Sequence, residues 1–412
     1  MYFDDYPILK EIKTEIVNLG WRRPTDIQFK AIKPILEGED VLAIAQTGTG
    51  KTASFVIPTL NHIASSKSKY SKRYVKCLVM VPTRELAIQI AAVYNDLGKG
   101  LSVKVLPILG GVEQESQIHQ LQLGMDVVIS TPGRLFDLVS QGHLDLSKLE
   151  TLVLDEADHM LDLGFSKDIK DLMRHVPQKR QTLFFSATID KRIKSTAYDI
   201  VRNAIRIQIS PKNPVAKNVK HSVVFVEMDD KRFFLERLIK DNSDAKIIVF
   251  VRTKVRAERV QSAMERVSIA SEVIHGGVEQ NKRFSLLTSF KAGDIKVLIT
   301  TDVAARGIDV PGVEIVVNYD LPEQAESYVH RVGRTGRGDA KGLAISFCSE
   351  TEKPMLKEIE TFTGDAIPVS EMDTSTYKEI IYESEEKGYD WKSLIDEQEA
   401  FQAKSKKKNK KK

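Results

Sequence analysis

Apolar runs of strand length recur along the chain, each followed by a longer stretch with helical spacing. In the first half they are VLAIA (41–45), CLVMV (77–81), DVVIS (126–130), TLVLD (151–155) and TLFFS (182–186). Runs this short and this continuous predict strands buried on both faces. Their alternation with helical segments predicts a parallel sheet with helices on either side. A polar, proline-bearing segment, SPKNPVAKNVKH (210–221), interrupts the rhythm, which resumes with KIIVFV (246–251), SEVIH (271–275), KVLITTD (296–302), EIVVNYD (314–320) and LAISFC (343–348). The pattern predicts an α/β protein of two domains, 1–210 and 219–370, joined by a linker over 211–218. Beyond about residue 370 the rhythm fades, so residues 371–412 read as an acidic, polar extension with one helix and then a disordered, lysine-rich tail.

Composition narrows the class. A length of 412 residues, with 42% hydrophobic and 29% charged side chains, suits a soluble globular protein of two domains and extras. No apolar stretch reaches the length of a membrane span, and MYFDDYPILK lacks the pattern of a signal peptide, so a cytoplasmic protein without a membrane partner is expected. Cys77 and Cys348 both sit in apolar runs, which excludes a disulfide framework and a zinc ligand set. The net charge of +4 conceals a segregation. Residues 371–399 hold ten acids against three lysines, whereas KSKKKNKKK (404–412) holds seven lysines. A lysine run is either a solubilising tail or a nucleic-acid tether, and composition alone does not choose.

The first strand runs directly into AQTGTGKT (45–52). A glycine-rich turn before a helix N-terminus offers successive backbone N–H groups to an anion, Lys51 adds a point charge, and Thr52 adds a hydroxyl for Mg²⁺. The generic pattern G-x-x-x-x-G-K-[ST] wants glycine where Ala45 stands. A second strand, TLVLDEAD, ends abruptly in Asp155, Glu156 and Asp158. Like charges cluster at a strand end when a cation or a reacting group uses them. With ATP on Lys51 and Thr52, Asp155 becomes the candidate metal ligand and Glu156 the candidate group that orients or deprotonates the attacking water. Asp158 could equally cap the following helix.

These residues carry a resemblance. Asp155-Glu156-Ala157-Asp158 is the motif of the DEAD-box ATP-dependent RNA helicases, and further motifs resemble that family in order across nearly all of residues 1–350. The resemblance implies two tandem RecA-like domains, each a parallel sheet flanked by helices, with ATP and Mg²⁺ as cofactors. GWRRPTDIQ (20–28) is similar to the adenine-reading motif, implying contacts from Trp21, Thr25 and Gln28, with Phe3 as the upstream aromatic. Gln46, Thr47, Gly48, Thr49 and Gly50 would cradle phosphates beside Lys51 and Thr52. PTRELA supplies Pro82, Thr83 and Arg84, the glycine pair Gly110 and Gly111, and TPGR Thr131, Gly133 and Arg134, as RNA contacts aimed at phosphates. Ser186 and Thr188 of SAT, together with Asp158 and His330, would couple ATP state to domain closure. HRVGRTGR (330–337) places Arg334 and Arg337 as the groups that stabilise charge on the γ-phosphate. Gly307 and Asp309 would approach the nucleotide, and Thr253, Arg283 and Thr301 would touch RNA.

The second domain has no G-K-[ST], so one ATP per chain is expected, at a site shared between the domains. RNA held on both would promote closure, force one strand of a short duplex away, and be released on hydrolysis. MLDLGF, PQKRQTLFFSAT and IPV (367–369) resemble the bacterial RhlE-type branch, implying a role in RNA metabolism with ribosomal or degradosome proteins as candidate partners. The competing reading is an ATP-gated RNA clamp that serves as an assembly platform with little unwinding.

Overall fold

The computed structural model describes residues 2–45, 48–66, 74–189, 191–209, 215, 218–305, 310, 312–336, 340–370 and 374–384. The chain divides into two compact units, the first ending at Pro214 and the second beginning at Val215. Gln46, Thr47, Gly307, Asp309 and Arg337, most of the linker, and the lysine-rich tail lie outside the described residues. Among the described residues no helix is long and apolar enough to cross a membrane.

The first unit holds seven strands: β1 (Val41–Ile44), β2 (Cys77–Met80), β3 (Val105–Ile108), β4 (Val127–Ser130), β5 (Thr151–Leu154), β6 (Gln181–Ser186) and β7 (Ile205–Gln208). They pair in the order β3-β4-β2-β5-β6-β1-β7, and every pairing is parallel. The strict alternation of a strand sorts side chains into two cores. Val41 and Ala43 join Leu183 and Phe185 on one face, while Leu42 and Ile44 join Phe184, Leu152 and Leu154 on the other. Burial on both faces is what the continuous apolar runs require.

The second unit repeats the design with β8 (Val219–Phe225), β9 (Ile247–Val251), β10 (Glu272–Ile274), β11 (Val297–Thr301), β12 (Ile315–Asn318) and β13 (Gly342–Cys348). Their order is β10-β11-β9-β12-β13-β8, again parallel throughout. The fold is thus the expected pair of parallel sheets flanked by helices. The chain after β13 returns to its edge: Val369 bridges Val223 of β8, and Val223 N–H donates to Pro368 O at 2.9 Å. A last helix, Thr374–Glu383, then lies against the helix Lys231–Asp241, with Tyr377, Ile380 and Ile381 packed on the core of this unit. The extension is therefore tied to the second unit at least as far as Ser384, whose hydroxyl bonds Glu236.

Candidate active site and RNA interface

In a parallel sheet the loops that leave the carboxyl ends of the strands share one edge, and ligands bind there. Register aligns the ends of β1, β5 and β6, since Ile44 sits opposite Ser186 and Leu154 opposite Phe184. From β1 the chain turns through Gly48–Gly50 into the helix Lys51–Ser65. Gly50 stands at φ 89°, and a Cβ there would fall 2.5 Å from Gln28 Nε2, so only glycine fits. Gln28 itself accepts from Thr25 N–H at 2.9 Å and donates to Gly50 O at 3.2 Å. Thr25 and Gln28 thus brace the phosphate turn, with spare hydrogen-bonding capacity on the amide. Phe3 and Trp21 share the wall of a cavity of about 490 Å³ that also takes in Tyr2, Ile16 and Val17 but neither Thr25 nor Gln28.

Lys51 is 6% exposed, and its ammonium has no hydrogen-bond partner among the described residues; the buried Ser186 hydroxyl shares that condition. Buried donors left without partners are costly unless a ligand completes them. Asp155, 2% exposed, follows β5 directly. Burial pushes its carboxyl up to about 6 against the pull of Lys51, and the charges of Glu156 and Asp158 add to the rise. Glu156 occupies the left-handed region at φ 51°, a conformation that costs a non-glycine residue about 1–3 kcal/mol and is retained mostly where function uses it. It also stands as the N-cap of the helix Ala157–Asp162, without a capping side-chain bond. The capping role open to Asp158 is therefore not the one observed. Its Oδ2 instead accepts from Ala187 N–H and Thr188 N–H, both at 3.0 Å, and from the Thr188 hydroxyl at 3.3 Å. The carboxylate motif and the SAT segment are thereby joined inside the first unit. Sequence reasoning missed His159, which is buried, places Nδ1 3.5 Å from Glu156 Oε2 and leaves Nε2 without a partner among the described residues.

The neighbouring half of the same edge, β3-β4-β2, carries the residues expected to meet RNA. Pro82 and Thr83 follow β2, and the Thr83 hydroxyl caps the helix Arg84–Leu97 by accepting from Leu86 N–H at 3.3 Å. The Arg84 guanidinium lies over the glycine pair after β3: a Cβ at Gly111, whose φ is 73°, would come within 2.7 Å of Nη1. Thr131 and Gly133 open the helix Pro132–Ser140 after β4, and Arg134 donates to Val112 O at 3.2 Å. Eight of the proposed contacts thus gather on three adjacent strand ends.

The second sheet divides its edge in the same way. Thr253 follows β9 and caps the helix Lys254–Arg266 by accepting from Arg256 N–H. Arg283 lies on the helix after β10 and donates to Ala304 O at 2.7 Å, and Thr301 ends β11. These belong to the contiguous strands β10-β11-β9. Beyond β12 the helix Ala325–Val332 carries His330 and leads to Arg334, whose Nε donates to His330 O at 3.2 Å. Arg331, also missed from sequence, is 1% exposed and forks onto Asp302 at 2.6 and 2.7 Å. A further bond to Asp320 O at 2.6 Å makes it the tie between the segment after β11 and the arginine-bearing segment after β12.

Residues 25–196 match the family model for DEAD/DEAH box helicases and residues 230–339 the model for the helicase conserved C-terminal domain. The chain is 40% identical over 375 residues to an ATP-dependent RNA helicase RhlB of Shewanella frigidimarina, covering 90% of this chain and 86% of that one. An RhlB of Shewanella piezotolerans is 39% identical over 376 residues, with the same coverage. Among solved structures, S. cerevisiae Dbp5 bound to RNA and ADP BeF3 superposes with a TM-score of 0.81 at 30% identity, covering 92% of this chain and 98% of that one. These bacterial relatives bear the RhlB name and not that of the RhlE-type branch expected from the motifs. With the motifs in order, the two sheets in place and relatives matching over nine-tenths of its length, the chain belongs to the DEAD-box family of ATP-dependent RNA helicases.

Proposed function

We propose that ATP is hydrolysed at the carboxyl edge of the first sheet by the residues named above, and that RNA phosphates on the β3-β4-β2 and β10-β11-β9 edges stimulate turnover and local separation of short duplexes. The observation that carries this reading is the buried Lys51 ammonium, without a hydrogen-bond partner among the described residues, acting on the buried Asp155 carboxyl. Lys51 and the backbone N–H groups of residues 46–52 would take the phosphates. The buried Asp155 carboxyl and the Thr52 hydroxyl are hard oxygen donors that fit Mg²⁺, an ion that takes one or two protein carboxylates and draws its other ligands from water and phosphate oxygens. When bound, it would neutralise charge developing on the phosphates. Glu156 orients the attacking water and accepts its proton. Arg334 and Arg337, carried by the second unit, stabilise the transferring group, an effect of about 10³ to 10⁵ in rate. Asp158 relays the state of this site to Thr188 through the bonds described.

Within the family, we place the chain nearer the RhlB proteins, on 39–40% identity over nine-tenths of its length; the motifs MLDLGF and IPV are what support the RhlE-type alternative. A cytoplasmic role with ribosomal or degradosome partners belongs to the same proposal and accords with two free, buried cysteines. A clamp that does not unwind is not favoured, since the relatives are named as helicases.

The test is steady-state ATP hydrolysis alone, with single-stranded RNA, and with DNA of the same sequence, beside Glu156→Gln and Lys51→Ala. RNA should stimulate strongly and DNA should not. Glu156→Gln should keep ATP and RNA binding while turnover falls by about 10²–10⁴, and Lys51→Ala should lose ATP binding. Rapid turnover by Glu156→Gln would remove its assigned role, and equal stimulation by DNA would remove RNA as the partner.

A further inference from the structure

We infer that Gln117 is a positioning residue for RNA binding, holding the Gly110–Gly111 loop in the shape that presents its amides and Arg84 to phosphates. This rests on the RNA role proposed for those residues. The helix Gln114–Gln122 rests Ile118 and Leu121 against the core of the first unit, yet Gln117 is its one buried residue. Sequence pattern would put a glutamine there on the solvent face, yet it is 6% exposed. Its carboxamide is fully engaged with one loop: Oε1 accepts from Leu109 N–H at 2.8 Å, and Nε2 donates to Leu109 O and Glu113 O, both at 3.1 Å. One side chain therefore fixes both ends of the five residues from Leu109 to Glu113. Between those ends lie the glycine pair, against which Arg84 is laid, and Val112, whose carbonyl accepts from Arg134.

The chemistry explains why such a clamp is needed. A backbone amide donates in a direction set by its peptide plane, and two consecutive glycines leave that plane freer than any other pair. Without a fixed frame the loop would have to be ordered at the moment RNA binds, and affinity would fall by that amount. Gln117 supplies the frame in advance, touching no RNA itself.

The test uses the full chain and single-stranded RNA as titrant in the ATP hydrolysis assay. Gln117→Met keeps the shape and loses all three bonds; the half-saturating RNA concentration should rise about tenfold while kcat at saturating RNA and KM for ATP hold. Gln117→Glu keeps the acceptor for Leu109 N–H and should fall between. The slope of log affinity against log salt should be unchanged in both, because no phosphate-neutralising charge is removed, whereas Arg84→Ala should lower it by about 0.7. An unshifted half-saturating RNA concentration in Gln117→Met would overturn the inference. So would a parallel loss of ATP affinity in both variants, which marks a general packing role. If the unaltered protein shows no RNA stimulation, it is the functional reading that fails, and direct RNA binding by Gln117→Met against the unaltered chain still decides the role of the clamp.

Discussion

At the scale of the residue, Asp155 shows what the site costs. Burial raises its carboxyl to about 6, above the value near 3.9 of an unfolded chain. A raised acid favours the folded state fully below about pH 4, and that contribution is lost as pH rises through about 6. Near neutrality the protein therefore carries an ionised, desolvated group that its own Lys51 only partly compensates. Asp155→Asn should melt higher than the unaltered chain at pH 8 without nucleotide, by on the order of 1–3 kcal/mol, and the gap should close toward pH 5. ATP turnover should be lost at the same time. Thermal melts at the two pH values decide it, and a gap independent of pH would mean the Asp155 charge is not the cause. Lys51, Asp155 and Glu156 were legible in the sequence because each follows an unmistakable core strand, and a charge at such an end has few structural reasons to exist. His159, Gln117 and Arg331 were not, because each is defined by its partner. On sequence alone Arg331 is one cation among four basic groups in eight residues; only the fold brings it to Asp302, 29 positions away.

At the scale of the element, the ten apolar runs all became strands, and the three strands the pattern did not mark are edges. β3 and β7 border the first sheet and β8 the second. An edge strand has one neighbour and a partly open face, so its apolar run is broken. In β7 only Ile207 is buried while Ile205 is exposed, and β3 tolerates Pro107 because an edge need not donate on both sides. The last helix was legible as a helix but not as part of the second unit, since none of its residues is buried. Its anchor is Tyr377, whose hydroxyl accepts from Glu227 N–H at 3.1 Å and donates to Asp230 Oδ2 at 2.7 Å, with its ring 4.9 Å from that of Phe234. Tyr377→Phe keeps the ring and strips both bonds, so the second unit should lose about 1–2 kcal/mol and melt about 2–5 °C lower. ATP affinity, proposed above to rest on Lys51 and the phosphate turn, should be unchanged. Calorimetry of the full chain reads the difference; an unmoved transition would show that the helix rests there without holding.

At the scale of the whole molecule, each sheet carries its proposed RNA contacts on three adjacent strand ends, and the first sheet carries its proposed nucleotide chemistry on the ends of β1, β5 and β6. Parallel order, legible in the sequence, puts these ends on one edge; the order of strands along that edge, which gathers the proposed RNA contacts together, was not legible there. Charge is the property that order does not explain. Ten acids against three lysines in residues 371–399 precede seven lysines in 404–412, and their sum hides both from the net charge. The acidic stretch begins on the second unit, where Glu383 pairs with Arg237 at 2.7 Å, so part of its charge is met within the protein. The lysines that follow have a net charge to place elsewhere, and phosphate is the partner already at hand. If they neutralise RNA, each lysine engaged adds about 0.7 to the slope of log affinity against log salt for a single strand, up to about 5 for all seven. Removing residues 400–412 should then weaken RNA binding more at ~50 mM salt than at ~300 mM, by about threefold for each lysine engaged, because counterion release loses its drive as salt rises. Affinities of the full and shortened chains across that range give the slope directly. A shallower slope after removal makes the tail a tether that raises the local concentration of RNA around the core; an unchanged slope leaves it as a device for solubility, with all RNA affinity residing on the two sheet edges.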